Sequence, residues 1–283
     1  MNQFHQEGPS QSITTPNSTM SEKPEIPIQQ YQQHQTQSPP KTKNGHNCTK
    51  KDGNKKRKDK KKKSYQSNQS QNETLSRSLT WLLRHKAQTL DLPISPDGYI
   101  PLPEILTCGH PRFRNVTEED VINVVRSCPK KRFGLITRNE VRHVRANQGH
   151  SIRRVTAEAS LEALSSRELS DVDCLIHGTY RKSWELIREE GLSRMKRNHI
   201  HLARGIPGVD EGVISGMRKN CEVFIYVDGK ACADDGVVFY KSDNGVVLTA
   251  GVDESGILPT KYFLKVVDVS SGKILFEKNV KVN

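Results

Sequence analysis

Histidine and arginine recur in this sequence where regular elements begin or end, and their spacing is the first pointer to chemistry. In Arg197-Asn198-His199-Ile200-His201-Leu202-Ala203 a strand would alternate its side chains, placing His199 and His201 on one face and Ile200 and Leu202 on the other. Two histidines facing a cleft, with an arginine upstream, suit a phosphorylated ligand. His177-Gly178-Thr179 closes another apolar run ahead of a helix, so its backbone and hydroxyl can hydrogen-bond a ribose or an amide. Ser215-Gly216-Met217-Arg218 adds a small turn carrying a hydroxyl, backbone N–H groups and a guanidinium, the donors that a pyrophosphate needs. Taken singly, each segment also has a structural reading: satisfied core histidines, a capped strand end, a solvated arginine. Together they supply many phosphate donors and no evident carboxylate base, which points to a reaction whose nucleophile is already an anion.

Several function classes are excluded by what the chain lacks. Neither G-x-x-x-x-G-K-[ST] nor a G-x-G-x-x-G following a strand occurs, so a kinase-type or Rossmann nucleotide cradle is not expected. The six cysteines form no C-x-x-C pair, which argues against zinc and against a disulfide framework, and no metal site is expected. No stretch approaches the roughly 18 apolar residues of a membrane span. The polar N-terminus lacks a signal-peptide core. A soluble protein of cytoplasm or nucleus, with no membrane partner, is the expectation.

The elements that must position these residues occupy only part of the chain. Residues 1–74 are rich in Gln, Ser, Asn, Thr, Pro and Lys, with too few large apolar side chains to offset the entropy of ordering, and are expected to be a disordered tail. Of the net charge of +12, that tail holds 13 basic residues against 6 acidic ones. Its lysine run, Lys50 to Lys63, suits a phosphate backbone or nuclear import, and equally a merely solvated segment.

Beyond the tail, Leu75, Leu79, Leu82 and Leu83 form one helical stripe, with a helix start near Asn72. On that wheel Arg84 turns away from the leucines and His85 flanks them. Thr117 is placed to cap a helix over Glu118 to Ser127, and Lys131 to Thr137 and Val141 to Val144 read as a hairpin that Arg132 opens. Helices followed by a small hairpin resemble a winged-helix arrangement. Residues 148–168 read as a connector. After them the period changes to strands at Cys174 to Thr179, His199 to Ala203, Val223 to Asp228, Val237 to Lys241, Val246 to Thr249 and Tyr262 to Val269, with a helix over Ser183 to Glu190. An Asn-Gly turn at Asn244-Gly245 should join two of them. The fold class expected is α+β, its second half dominated by antiparallel strands.

Eight ordered blocks carry a family resemblance: LSRSLTWLLRH, DGYIPLPEIL, KRFGLI, ANQGHS, HGTYRKSWELI, RNHIHLA, GVISGMR and NGVVLTAG, spread from Leu75 to Gly251. In this order they resemble the RNA 2′-phosphotransferase family. The resemblance implies a winged-helix-like lobe over residues 75–147, an ADP-ribosyltransferase-like lobe binding NAD over 169–270, and a C-terminal extension over 271–283. It further implies a two-step reaction on RNA with an internal 2′-phosphate, most naturally spliced tRNA. The phosphate displaces nicotinamide from NAD, and the ribose 2″-hydroxyl then expels the RNA, giving a free 2′-hydroxyl and ADP-ribose 1″,2″-cyclic phosphate. The family's catalytic set falls on Arg84, His85, Arg132 and Arg197, and its NAD-contacting positions fall on His177, Gly178, Thr179 and His201, with Ser215, Gly216 and Arg218 beside them. Under this resemblance Arg84 and Arg132 look into a cleft between the lobes rather than into solvent. Arginines then grip the phosphate, and His85 is the side chain whose ordinary pKa suits proton transfer in the second step. A monomer is expected. Two rival classes are a non-catalytic nucleic-acid-binding protein and a protein ADP-ribosyltransferase using the same NAD lobe.

Overall fold

The leucine stripe folds as its spacing predicts, into a helix α1 over residues 70–81 with Leu75 and Leu79 buried. The structure, a computed structural model, describes residues 70–172 and 174–278. The expected tail therefore lies outside the described residues up to residue 69, the lysine run with it, while residues 70–74 are helical rather than part of a tail. At Leu82–Lys86 the helix widens into a π turn, closed by the Ala87 N–H donating to the Leu82 carbonyl at 2.9 Å. A π turn inserts an extra residue into the helical ladder. Leu82, Leu83 and Ala87 thereby stay in the core while Arg84, His85 and Lys86 emerge on one side.

The chain then enters strand β1 (Ile100–Pro101) and helix α2 (Leu102–Thr107). Helix α3 is Glu118–Ser127, and Thr117 caps it as expected: its hydroxyl accepts the Asp120 N–H at 3.2 Å, and the Asp120 carboxylate accepts the Thr117 N–H at 2.9 Å. Strands β2 (Phe133–Arg138) and β3 (Val141–Ala146) form the hairpin, turned by Asn139 and Glu140, both with positive φ. With β1 they make a three-stranded antiparallel sheet in the order β1-β3-β2. One apolar cluster, running from Leu75 to Val155, fills this part of the molecule.

Residues 148–168 carry the chain to a second apolar cluster, and they are ordered. They contain Ile152 and Val155, buried in the first cluster, then helix α4 (Ala157–Ser160), strand β4 (Glu162–Leu164) and the start of helix α5 (Ser166–Ser170). The rest comprises β5 (Leu175–Thr179), α6 (Arg181–Glu190), β6 (Leu192–Ser193), β7 (Ile200–Leu202), β8 (Val223–Val227) and α7 (Gly229–Asp234). It ends with β9 (Phe239–Lys241), β10 (Val247–Thr249), β11 (Ile257–Leu258), β12 (Phe263–Asp268) and β13 (Ile274–Glu277). Strand β13 lies inside the stretch expected as a C-terminal extension, whose residues 279–283 lie outside the described residues.

Two four-stranded antiparallel sheets, β4-β9-β10-β7 and β13-β12-β8-β5, enclose the second cluster between them. Strand β8 is buried at every position: Val223, Ile225 and Val227 face that cluster, while Phe224 and Tyr226 face a third one built with Ile176, Ile206 and Val267. The molecule is thus a mixed α/β fold whose sheets are antiparallel. The β9–β10 connection is not a two-residue Asn-Gly turn but a five-residue loop in which the Gly245 N–H donates to the Ser242 carbonyl at 2.8 Å, and only Gly245 takes a positive φ. The extra length lets Asp243 and Asn244 reach the N-terminal part.

Candidate active site

Two sets of contacts hold the N- and C-terminal parts together and leave a cleft between them. The Asn244 side-chain amide donates to the Lys130 carbonyl at 3.0 Å, and Arg145 pairs with Asp243 at 2.7 Å. On the other flank the Asn198 amide donates to the carbonyls of Ile152 and Val155, both at 3.0 Å, and its backbone N–H donates to the His150 carbonyl at 2.9 Å. The first set fixes the start of β2, where Arg132 stands; the second fixes the loop carrying Arg197. The cleft measures about 850 Å³.

All eleven residues singled out in the sequence line this cleft: Arg84, His85, Arg132 and Arg197, His177, Gly178, Thr179 and His201, and Ser215, Gly216 and Arg218. The π turn delivers Arg84 and His85, the first residue before β2 is Arg132, and strands β5 and β7 deliver His177 to Thr179 and His201. His199 lines it too. Lys86, Lys130, Arg194 and Lys196, also in the lining, went unremarked among the chain's many basic residues. Among the described residues, no aspartate or glutamate lines it.

Cations concentrated without a counter-charge leave their mark on the ionisation of the lining. Burial, together with the nearby Arg197 and Arg132 guanidiniums, brings the Arg84 pKa down to about 10, still charged at neutral pH. Burial and then Arg218 lower that of Arg197, which keeps solvent contact at the mouth but is surrounded by protein on its other sides. Lys130 is lowered by burial and by Arg132. His85 falls below the usual histidine range through burial, Arg84, Arg197 and Lys86, and its Nδ1 lies 3.0 Å from the Ser151 hydroxyl. Arg84 Nε and His201 Nε2 are buried without a hydrogen-bond partner among the described residues. Bringing an anion into this cleft relieves the mutual repulsion of its cations, so an anionic ligand binds with a large electrostatic gain.

The histidines of β5 and β7 are set for a neutral ligand group instead. His177 Nδ1 donates to the His201 carbonyl at 2.9 Å, so in the neutral ring Nε2 is the acceptor. Burial keeps both rings neutral, lowering His177 against the opposing effect of that hydrogen bond and lowering His201 well below its ordinary value, with Arg197 and Arg84 adding to the latter. A Cβ on Gly178 would stand 2.9 Å from Cys221 Sγ and from Met217 Cβ, so glycine is what lets β5 lie flat between the Met217 loop and the cleft.

Sequence reasoning missed the loop 147–151 as part of the site. It lacks any apolar period, yet Asn147, Gln148 and His150 are buried, Gln148 and Ser151 line the cleft, and the Gly149 backbone lies against the Arg84 guanidinium. A signal was present: the loop lies within the ANQGHS block, and the glycine of that block, Gly149, takes φ +90, where glycine is favoured. Among the described residues no group of three histidines, cysteines or acids is placed to hold a metal ion, and no helix is long and apolar enough to cross a membrane.

A cleft so rich in guanidinium and ammonium groups suits a phosphorylated ligand. Comparison with known proteins narrows the class. The model of the RNA 2′-phosphotransferase, Tpt1 / KptA family matches residues 70–251. A Schizosaccharomyces pombe protein is 44% identical over 203 residues, 71% of this chain but 53% of its own length, so this chain spans about half of that relative. The tRNA 2′-phosphotransferase 1 of Bos taurus is 45% identical over 191 residues, 67% of this chain and 72% of that one. The human protein of the same name is 42% identical over 191 residues, 67% of this chain and 73% of that one. The chain belongs to the RNA 2′-phosphotransferase family.

Proposed function

We propose that this enzyme transfers the splice-junction 2′-phosphate of ligated tRNA to NAD, the last step of tRNA splicing, acting as a monomer in cytoplasm or nucleus. In this reading residues 75–147 form a winged-helix-like lobe that holds the RNA phosphate, residues 169–270 an ADP-ribosyltransferase-like lobe that holds NAD, and 148–168 the link between them. The observation that carries it is the meeting of Arg84, Arg132 and Arg197 with the neutral His177–His201 pair in one carboxylate-free cleft.

The residues present fit NAD. Thr179 and the acceptor Nε2 of His177 suit ribose hydroxyls, and Ser215, Gly216 and Arg218 suit the pyrophosphate. In the first step an RNA 2′-phosphate oxygen forms a bond to the nicotinamide-bearing ribose carbon as the glycosidic C–N bond breaks, nicotinamide leaving with the electron pair. A phosphate dianion needs no base for this, consistent with a cleft that has no carboxylate. The arginines orient it, two N–H donors to two oxygens. In the second step the 2″-hydroxyl oxygen bonds to phosphorus, the bond from phosphorus to the RNA 2′-oxygen breaks, and the hydroxyl proton passes to that oxygen. Negative charge builds on the phosphoryl oxygens there, where fixed guanidiniums stabilise it. His85, kept largely neutral at rest and hydrogen-bonded near Ser151, is the group that moves the proton.

Incubation with NAD and a 2′-phosphorylated oligoribonucleotide tests the reading. ADP-ribose 1″,2″-cyclic phosphate and dephosphorylated RNA are the expected products. Modified protein would favour a protein ADP-ribosyltransferase, and RNA binding without turnover a non-catalytic reader.

A further inference from the structure

Seven large apolar side chains stand exposed among the described residues, and three of them, Met195, Val238 and Val252, line a single groove. Met195 is 79% exposed, more than any of the others, and holds a positive φ of 56°, a backbone region that a methionine seldom occupies. The groove, of about 880 Å³, shares a wall with the active-site cleft, because Ser151, the segment from Arg194 to Arg197 and His199 line both. Tyr240 also lines it, its ring edge-on to His199 at 6.2 Å and its hydroxyl donating to Glu158 at 3.0 Å. Arg153 and Lys196 add positive charge. Of the three acids in the lining, Glu158 is engaged by Tyr240, Asp253 accepts the Ser255 N–H at 2.8 Å, and Glu254 lies beside the Arg194 guanidinium, which donates to its backbone carbonyl at 3.1 Å.

Apolar and aromatic faces beside cations are what a nucleotide requires: a surface for the flat base and a partner for its phosphate. An internal 2′-phosphate has a strand on either side, and that strand must leave the cleft. The wall from Arg194 to Arg197 borders both the cleft and this groove, so a strand leaving across it stays in contact with the protein. We propose that this groove receives the nucleotide next to the phosphorylated ribose, its base against Met195, Val238 and Tyr240 and its phosphodiester toward Arg153 and Lys196. The inference rests on the reading of the cleft as an RNA 2′-phosphate site.

The test is a binding cycle with fluorescently labelled 2′-phosphorylated trinucleotides, intact or abasic at the 5′ or the 3′ flank, measured by anisotropy without NAD on the full chain and on Val238→Glu. Removing one flanking base should weaken binding about tenfold. Val238→Glu should weaken binding of the intact trinucleotide to a similar degree and erase the penalty for that base, the signature of coupled groups. A Val238→Glu chain with the full parental penalty, or a parent indifferent to both flanking bases, overturns the proposal. So does a parent that sediments as a dimer which Val238→Glu dissolves while base removal has no effect, since the groove would then belong to a second copy. Because binding is read without NAD, failure of the phosphotransfer reading shows separately: flanking-base coupling would be normal here, while incubation of the same RNA with NAD would give no product.

Discussion

Gly149 offers a graded test of whether the position of Arg84 limits the reaction. A Cβ built there would lie 3.2 Å from Arg84 Cζ and Nη1 and 3.3 Å from Nε, closer than the 3.4 Å where ordinary contact begins. Gly149→Ala therefore brings two effects. Holding alanine at φ +90 costs about 1 kcal/mol of stability, which in a folded unit of this size lowers Tm by about 2–4 °C. The guanidinium must also retreat by a few tenths of an ångström, and in a preorganised site a 1 Å displacement costs on the order of 100-fold. Scaled to that shift, the single-turnover rate should fall about 4- to 10-fold. Gly208→Ala separates the two effects, because Gly208 has φ +87 and nothing within 4 Å of its would-be Cβ: it should lose a similar few degrees and keep the parental rate. Thermal melts by circular dichroism and rapid-quench assays on 2′-phosphorylated RNA would read both quantities. A Gly149→Ala enzyme with the parental rate would refute the argument that the loop backbone sets Arg84, and equal rate losses in both variants would assign the effect to backbone strain alone.

Three further outcomes are expected. Arg84→Ala, Arg132→Ala and Arg197→Ala should slow the second step on the order of 100- to 1000-fold, more than the first, so ADP-ribosylated RNA builds up as a slower-migrating band; equal slowing of its formation and decay would mean that these residues only position the phosphate. His150 is buried with its pKa lowered to about 3, first by burial and then by Arg84. Its contribution to stability is therefore complete above the unfolded value of 6.5 and is lost as pH falls from 6.5 toward 3, amounting to about 2 kcal/mol by pH 5; urea titrations should show His150→Gln with a shallower decline over that range, and parallel profiles would sink the assignment. Asn244→Ala removes the buried amide that donates to the Lys130 carbonyl, whereas Asp243→Ala removes an ion pair whose carboxylate is 52% exposed. The first should cost about 1–3 kcal/mol and lower kcat, the second less than about 1 kcal/mol, and steady-state kinetics showing the reverse order would place the interlobe anchor at the ion pair.

What the sequence by itself determined was local. Thr117 and its acids specify α3 because a cap and a first-turn carboxylate act within four residues, and the apolar run of β8 announces a strand because burial on both faces needs no alternation. The ordered motifs from Leu75 to Gly251 likewise named the candidate site residues through their family resemblance. Tertiary structure decided the rest. The π turn at Leu82–Lys86 leaves no mark in the leucine spacing, since what favours it is the packing of Leu82, Leu83 and Ala87 into a core completed by residues as distant as Val155. Strands β6 and β11, two residues each, exist only because they pair with each other across more than sixty positions of chain. Loop 147–151 has no period to read, and it becomes part of the cleft because the Asn198 N–H bonds to the His150 carbonyl and the Ser151 N–H to the Arg84 carbonyl. The cationic, carboxylate-free surface arises from segments between Arg84 and Arg218 that meet only after the two halves dock. Hydrophobic period and caps act over a few residues, whereas mutual charge repulsion, burial and the lowering of the Arg84 and His85 pKa values depend on distances in space that no local pattern encodes.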